Sequence, residues 1–264
     1  MRDIIPIGTN QRGTDKESGM SANKKVAFIS GGNRGIGLET ARELGRRGFA
    51  VVIGAREAAR GEAAAKALRE EDIAAEAIVY DANEPATDKA VLEHLTTRYG
   101  KLDVLVNNAG LSHEELISQS VLTVSDEDLA DTFAVNLFAV VRLTRTLMPL
   151  IEKSEAGRIV NVSSILGSLG VHAAEGSPIA RAKCFAYNAS KTALNAFTVH
   201  LADALRGTPI KVNSIHPGWV KTELGGPYAT DELSGSGKTA ARLATLASDG
   251  PSGRFFHLDN ALPW

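Results

Sequence analysis

The sequence predicts an α/β fold: one domain built on a doubly wound parallel sheet of about seven strands, with helices on both faces. Three observations lead there. Short apolar runs without polar alternation recur along the chain, as in strands buried on both faces. Segments with helical spacing separate those runs, which calls for parallel pairing through right-handed crossovers. Between residues 23 and 264 no linker and no internal repeat divides the chain.

The elements follow in order. Lys25–Ser30 (KVAFIS) is an apolar run ending at glycines, the first strand. Gly35–Gly48 carries Ile36, Leu38, Ala41 and Leu44 at helical spacing. Phe49–Ala55 is the second strand, and Glu57–Glu71, rich in Ala, Glu and Arg, is helix. Ala77–Asp81 is the third strand, followed by a helix opening near Pro85. Leu102–Asn107 is the fourth. Ser125, with Asp128 after it, starts a helix that runs to about Leu150. Arg158–Ser163 is the fifth strand and Tyr187–Arg206 a long helix. Ile210–Ile215 and Arg254–Leu258 complete the sheet.

Composition narrows the function classes. Hydrophobic residues at 44% and charged residues at 23% are ordinary for a globular chain. A net charge of -2 with no basic stripe argues against nucleic acid as a partner. No apolar run approaches the ~20 residues a bilayer span needs, so no membrane partner is expected. Cys184 is the only cysteine, which rules out an intrachain disulfide and fits a reducing cytoplasm. The six histidines lack metal-ligand spacing, so no metal is expected. Residues 1–22 have no apolar segment or cleavage pattern of a targeting peptide and read as a flexible extension, with Met20 an alternative start of the functional domain.

The chemistry begins at Ser30-Gly31-Gly32-Asn33-Arg34-Gly35-Ile36-Gly37, between the first strand and the first helix. Glycines there turn the backbone tightly and admit a pyrophosphate to the helix N-terminus, with its free N–H groups and positive dipole. The second strand ends Gly54-Ala55-Arg56, without the acid that would hold a ribose 2′-hydroxyl. Arg56 and Arg34 together suit a 2′-phosphate, and so NADP.

Tyr187 and Lys191 lie four apart on a helix and share a face. A free tyrosine titrates at about 10, and an ammonium beside it lowers that value. A phenol so tuned can donate a proton to an alkoxide. Ser163 and Ser164 end the fifth strand, where alternation lets one of them face a pocket. Asn136 sits mid-helix, an unfavoured place for Asn.

These motifs resemble those of the short-chain dehydrogenases/reductases. The glycine loop is similar to that family's Thr-Gly-x-x-x-Gly-x-Gly, with Ser30 in place of Thr. Asn107-Asn108-Ala109-Gly110 resembles the fourth-strand motif, Pro217-Gly218 the nicotinamide-side turn, and Asn136, Ser164, Tyr187 and Lys191 the catalytic set. GGNRGIGL, VVIGAREAARG, LDVLVNNAG, RIVNVSS and PGWVKTELGGP read like the carbonyl reductase branch, and coverage runs from residue 24 to the end.

The resemblance implies a Rossmann-type fold and an NADPH-dependent reduction of a ketone, aldehyde or quinone-like carbonyl. Alternatives are a secondary-alcohol or 3-hydroxyacyl dehydrogenase, or a non-catalytic NADP-binding sensor. It implies that Ser164 bonds the substrate carbonyl, that Tyr187 donates the proton, that Lys191 bonds the nicotinamide ribose, and that Asn136 holds a water leading to Lys191. Cofactor contacts are implied at Gly31, Asn33, Arg34, Gly35, Ile36 and Gly37 in the loop, and at Arg56, Asp81 and Ala82. They are implied also at Asn108, Ala109 and Gly110, at Tyr187 and Lys191, and at Pro217, Gly218, Val220 and Thr222. It also implies a homo-oligomer, dimer or tetramer, formed through the helices that begin near Ser125 and Tyr187.

Several features depart from that pattern. Ser164 and Tyr187 are 23 positions apart, more than in a minimal member and far fewer than in monomeric animal carbonyl reductases. His216 stands where some carbonyl reductases carry cysteine. Leu166, His172 and Trp219 suggest an apolar substrate site. Residues 221–238 read as a mobile lid with glycine-rich ends. Gly235-Ser236-Gly237-Lys238-Thr239 is no triphosphate loop, because Glu232 occupies the position where that loop needs glycine.

Overall fold

The computed structural model describes residues 24–114 and 120–264. The extension expected over residues 1–22 lies outside them. β1 (Val26–Ser30), β2 (Ala50–Ala55), β4 (Val104–Asn107) and β5 (Arg158–Val162) are buried along their whole length, which is why their sequences do not alternate. With β3 (Ala75–Val79), β6 (Lys211–Ile215), β7 (Arg254–His257) and β8 (Asn260–Ala261) they form one sheet in the order β3-β2-β1-β4-β5-β6-β7-β8. Every pair is parallel except β7–β8. The order reverses between β1 and β4, and such a switch point opens a crevice at the strands' carboxyl ends.

Two cores cover the sheet. α1 (Gly35–Arg46), α2 (Ala58–Glu70) and α8 (Lys238–Leu243) bury Leu44, Leu68 and Leu243 against Ile29, Val51 and Val106. α3 (Pro85–Tyr99), α5 (Ala139–Ile151) and α7 (Phe185–Ala204) lie on the other face, where Leu95 and Leu147 meet Phe28, Val52 and Leu105. Neighbouring residues of β1 therefore serve opposite cores.

The structure corrects several sequence expectations. β3 runs two residues earlier than Ala77–Asp81, and Tyr80 leaves the strand to meet Phe28 edge to face, with centroids 6.0 Å apart. β8 is an eighth strand of two residues, too short to leave a pattern. α8 was not expected; at Gly237 a Cβ would lie 2.5 Å from the backbone of Thr40, so that glycine lets α8 close on α1. The long helix is interrupted: α4 (Asp126–Phe133), capped by the Ser125 hydroxyl accepting from Asp128 N, passes into one π-helical turn, Ala134–Phe138, before α5. Asp126–Ile151 is also long and apolar enough to cross a membrane, contrary to the expectation from run length. Half of its most apolar stretch is buried, and Val135, Leu143, Leu147 and Ile151 belong to the core, as in the central helix of a globular domain. The segment between Ser164 and Tyr187 folds into a single tight turn, Ile165–Gly167, and α6 (Leu169–Ala173).

Candidate active site

The crevice starts at the glycine loop. Gly31 and Gly35 have φ of 64° and 55°, a region that favours glycine. A Cβ on Gly37 would stand 2.4 Å from the Gly31 carbonyl and 2.5 Å from Asn108 Nδ2. Arg34 precedes α1 in extended conformation without a capping side-chain bond, so the first-turn N–H groups of α1 face the crevice uncapped. Gly32 N donates to Gly54 O at 3.0 Å, pinning the loop to the tip of β2. Ser30 Oγ accepts from Asn108 N and Ala109 N, both at 3.0 Å, while Asn108 Nδ2 donates to Ser30 O and Gly31 O. The hydroxyl that stands in place of Thr thus ties the loop to the end of β4.

The resulting crevice encloses ≈ 430 Å³. Its walls include Gly31, Asn33, Arg34, Gly35, Ile36 and Gly37, and across them Arg56, Asp81 and Ala82. Asn108, Ala109 and Gly110 form the middle, Tyr187, Lys191 and Pro217 the far end, and Thr222 stands over Gly35. Gly218 and Val220 do not line it. Gly218 turns the chain at φ 97°, where a Cβ would meet Asp231 Oδ2 at 2.3 Å, and Val220 is buried in a bridge to Asp231. Sequence reasoning missed Arg60, Leu111, Lys221, Glu223 and Leu224 in the walls. Arg60 could have been found, since it lies in the first turn of the helix that leaves the tip of the second strand.

At the deep end the catalytic candidates converge. Tyr187 is 7% exposed, and its phenol lies beside Ser164. Ser164 Oγ also accepts from Leu166 N at 3.2 Å. Lys191 Nζ donates to Val162 O at 2.9 Å and lies 5.6 Å from the Tyr187 ring centroid. Burial lowers Lys191 to about 8. Burial is also the largest influence on Tyr187 and raises its phenol above the ordinary value; Cys184 adds to the rise and the Ser164 hydroxyl opposes it. The depression expected from Lys191 is absent, because a dry phenol resists charging and the ammonium is turned onto a carbonyl.

Two further expectations change. Ser163, not Ser164, lines the crevice, and its Oγ donates to Lys191 O at 3.4 Å, while Ser164 stands beside Tyr187. β5 ends at Val162, so strand alternation no longer governs the two serines. Asn136, fully buried in the π-helical turn, does not line the crevice. Its Oδ1 accepts from Leu111 N at 2.9 Å, and its Nδ2 donates to Leu111 O and Ser190 Oγ. Its amide bonds these protein partners, and it neighbours Lys191 across Gly110.

The lid over 221–238 is a bonded flap. Lys221 N donates to Asp231 O at 2.9 Å, Trp219 N to Asp231 Oδ2 at 2.8 Å, and Trp219 Nε1 to Gly225 O at 2.8 Å. Trp219 is therefore spent on the flap's own structure. His172 bonds Leu166 O at 3.0 Å, close behind Ser164.

A dinucleotide fits these walls. The cradle at Gly37 has no room for a side chain, the helix end is uncapped, and the groove continues unbroken from Arg56 to Lys191. A glycine-lined helix end at the switch point, running to a buried tyrosine and lysine, defines a nicotinamide-dependent oxidoreductase. The short chain dehydrogenase family model matches residues 25–233, and the chain belongs to that family. It is 31% identical to carbonyl reductase [NADPH] 1 of Mus musculus, over 93% of this chain and 100% of the relative. It is 33% identical to the 3-oxoacyl-[acyl-carrier-protein] reductase of Pseudomonas aeruginosa, over 78% of this chain and 77% of the relative. Among solved structures it is similar to an actinorhodin polyketide ketoreductase variant with NADPH: TM-score 0.75, 27% identity, 89% of this chain and 95% of that one.

Proposed function

We propose that the protein is an NADPH-dependent carbonyl reductase acting on ketones, aldehydes or quinone-like compounds, with Tyr187 as the general acid. The observation that carries this reading is the convergence of Tyr187, Ser164 and Lys191 at the buried end of the crevice, the Lys191 ammonium 5.6 Å from the Tyr187 ring centroid. NADPH, when bound, supplies the hydride. The uncapped end of α1 would hold its pyrophosphate, Asp81 and Ala82 its adenine end, and Asn108 to Gly110 its middle. Pro217 would border its nicotinamide end.

Ser164 accepts the task of orienting the substrate carbonyl toward Tyr187. Tyr187, kept protonated by burial, delivers its proton to the carbonyl oxygen as negative charge develops there. Lys191 bonds the ribose and, charged below about pH 8, stabilises the phenolate left behind. Asn136 fixes the loop after β4 against α7 through Leu111 and Ser190, a positioning role.

Choice of NADPH rests on Arg56 and Arg34, with no acid at the tip of β2. The name of the mouse relative and the NADPH in the ketoreductase structure support it. The Pseudomonas relative favours a second reading, a 3-oxoacyl substrate reduced at the same site. We also infer a homo-oligomer, supported by Phe138 and Val199 exposed on the long helix and α7, and a reducing cytoplasmic setting, supported by the free thiol of Cys184.

The test is oxidation of NADPH and NADH against a panel of ketones, aldehydes, quinones and 3-oxoacyl thioesters. Turnover of simple carbonyls with NADPH preferred is expected. Preference for NADH, or no turnover of any carbonyl, would overturn the reading.

A further inference from the structure

Four cations line the mouth of the crevice: Arg34, Arg56, Arg60 and Lys221. Among the described residues three of them hold a carboxylate. Arg60 pairs with Glu57 at 2.9 Å within the first turn of α2, and Lys221 pairs with Glu232 inside the flap. Arg34 pairs with Glu223, and this contact differs in kind. It joins two walls 189 residues apart in sequence, the glycine loop and the tip of the flap. The tip is seated there: a Cβ on Gly35 would stand 3.5 Å from Thr222 Cγ2. Arg56 has no ion pair or side-chain hydrogen bond among the described residues.

The Gly32–Gly54 hydrogen bond places Arg34 and Arg56 at the same corner, the tip of β2. A 2′-phosphate arriving at that corner finds Arg56 free and Arg34 already sharing its charge with Glu223. Glu223 takes the Nη1 of Arg34, and a phosphate brought to the remaining donors of the same guanidinium is repelled by that carboxylate. NADH brings no phosphate to that corner and meets no such conflict.

We propose that Glu223 is a specificity-determining residue: its carboxylate competes with the cofactor's 2′-phosphate for Arg34 and so weakens NADPH selectively. The proposal rests on the NADPH reading above. Arg34 and Glu223 side chains are 61% and 77% exposed, so solvent and salt screen the competition, and the effect is about 3- to 5-fold rather than decades. It also shrinks as salt is added.

The experiment is a fluorescence titration of NADPH and NADH binding at low salt. It uses the full chain as wild type, Glu223→Gln, Arg34→Gln and the double variant, with Arg56→Ala as reference. Gln keeps the size and hydrogen-bonding capacity of Glu and removes its charge. Glu223→Gln is expected to tighten NADPH about threefold and leave NADH unchanged. In the Arg34→Gln background the same change is expected to do nothing. Unchanged NADPH affinity in Glu223→Gln, equal tightening of both cofactors, or an effect that survives loss of Arg34 would each overturn the competition. If Arg34→Gln and Arg56→Ala shift the NADPH to NADH ratio while Glu223→Gln does not, only the Glu223 proposal falls. If neither arginine variant shifts that ratio, the NADPH reading falls and takes the proposal with it.

Discussion

The two ends of the crevice are built from the same kinds of group in opposite settings. At the mouth, Arg34, Arg56 and Arg60 stand in solvent, and two of them carry an acid from the protein. At the floor, Tyr187, Lys191, Ser164 and Asn136 are buried, and Lys191 has a backbone carbonyl where a carboxylate could have stood. Water screens the charges at the mouth, so each contributes modestly and mainly to affinity. Its absence at the floor moves protonation: Lys191 falls to about 8 and Tyr187 rises. The mouth should therefore govern which cofactor binds, and the floor how fast a bound substrate reacts.

Removing the acid should do the greatest damage. Tyr187→Phe keeps the ring and is expected to cost about 100-fold or more in kcat, read in steady-state turnover at saturating NADPH. Near wild-type turnover would erase the functional contrast between floor and mouth.

The serines sharpen the picture of the floor. Ser164→Ala removes the hydroxyl beside Tyr187 and should lower kcat by at least about 10-fold. Ser163→Ala removes only a long bond to Lys191 O and should be mild. The reverse ranking would mean that Ser163, which does line the crevice, is the one that meets the carbonyl.

At the mouth, Arg56→Ala should raise the NADPH KM about 10-fold and barely move NADH, since NADH has no phosphate to lose. Adding Ala55→Asp should reverse the preference by supplying an acceptor for a free 2′-hydroxyl.

The smallest effect is a pH signature of burial. Lys191 is charged below about pH 8 and neutral above it in the free enzyme. kcat/KM for reduction should fall as pH rises through that value, while Tyr187 stays protonated throughout. Stability should move the other way. Between about 8 and the ordinary 10.5 the unfolded chain binds the extra proton, so folding is favoured as pH rises. A Lys191→Met variant should lack that rise in thermal melts.

Much of this was legible in the sequence. Apolar runs located the buried strands because burial on both faces leaves nothing polar to interrupt them, and the glycine loop was readable because only glycine fits beside the Gly31 carbonyl. What could not be read depends on contacts between distant segments. The π-helical turn at Asn136 depends on Leu111 and Ser190, which lie in a loop and another helix. The flap is held by Asp231 reaching back to Trp219. The direction of the Tyr187 shift follows from how dry the floor is, and spacing from Lys191 carries no information about that.

The most direct test pairs Tyr187→Phe with Arg56→Ala, measuring for each the NADPH dissociation constant and the kcat at saturating cofactor and carbonyl. Tyr187→Phe is expected to keep NADPH binding within about twofold and lose kcat, and Arg56→Ala to lose NADPH affinity and keep kcat. If Tyr187→Phe turns over normally, or if Arg56→Ala binds both cofactors as wild type does, the assignment of an NADPH reductase with Tyr187 as its acid is contradicted.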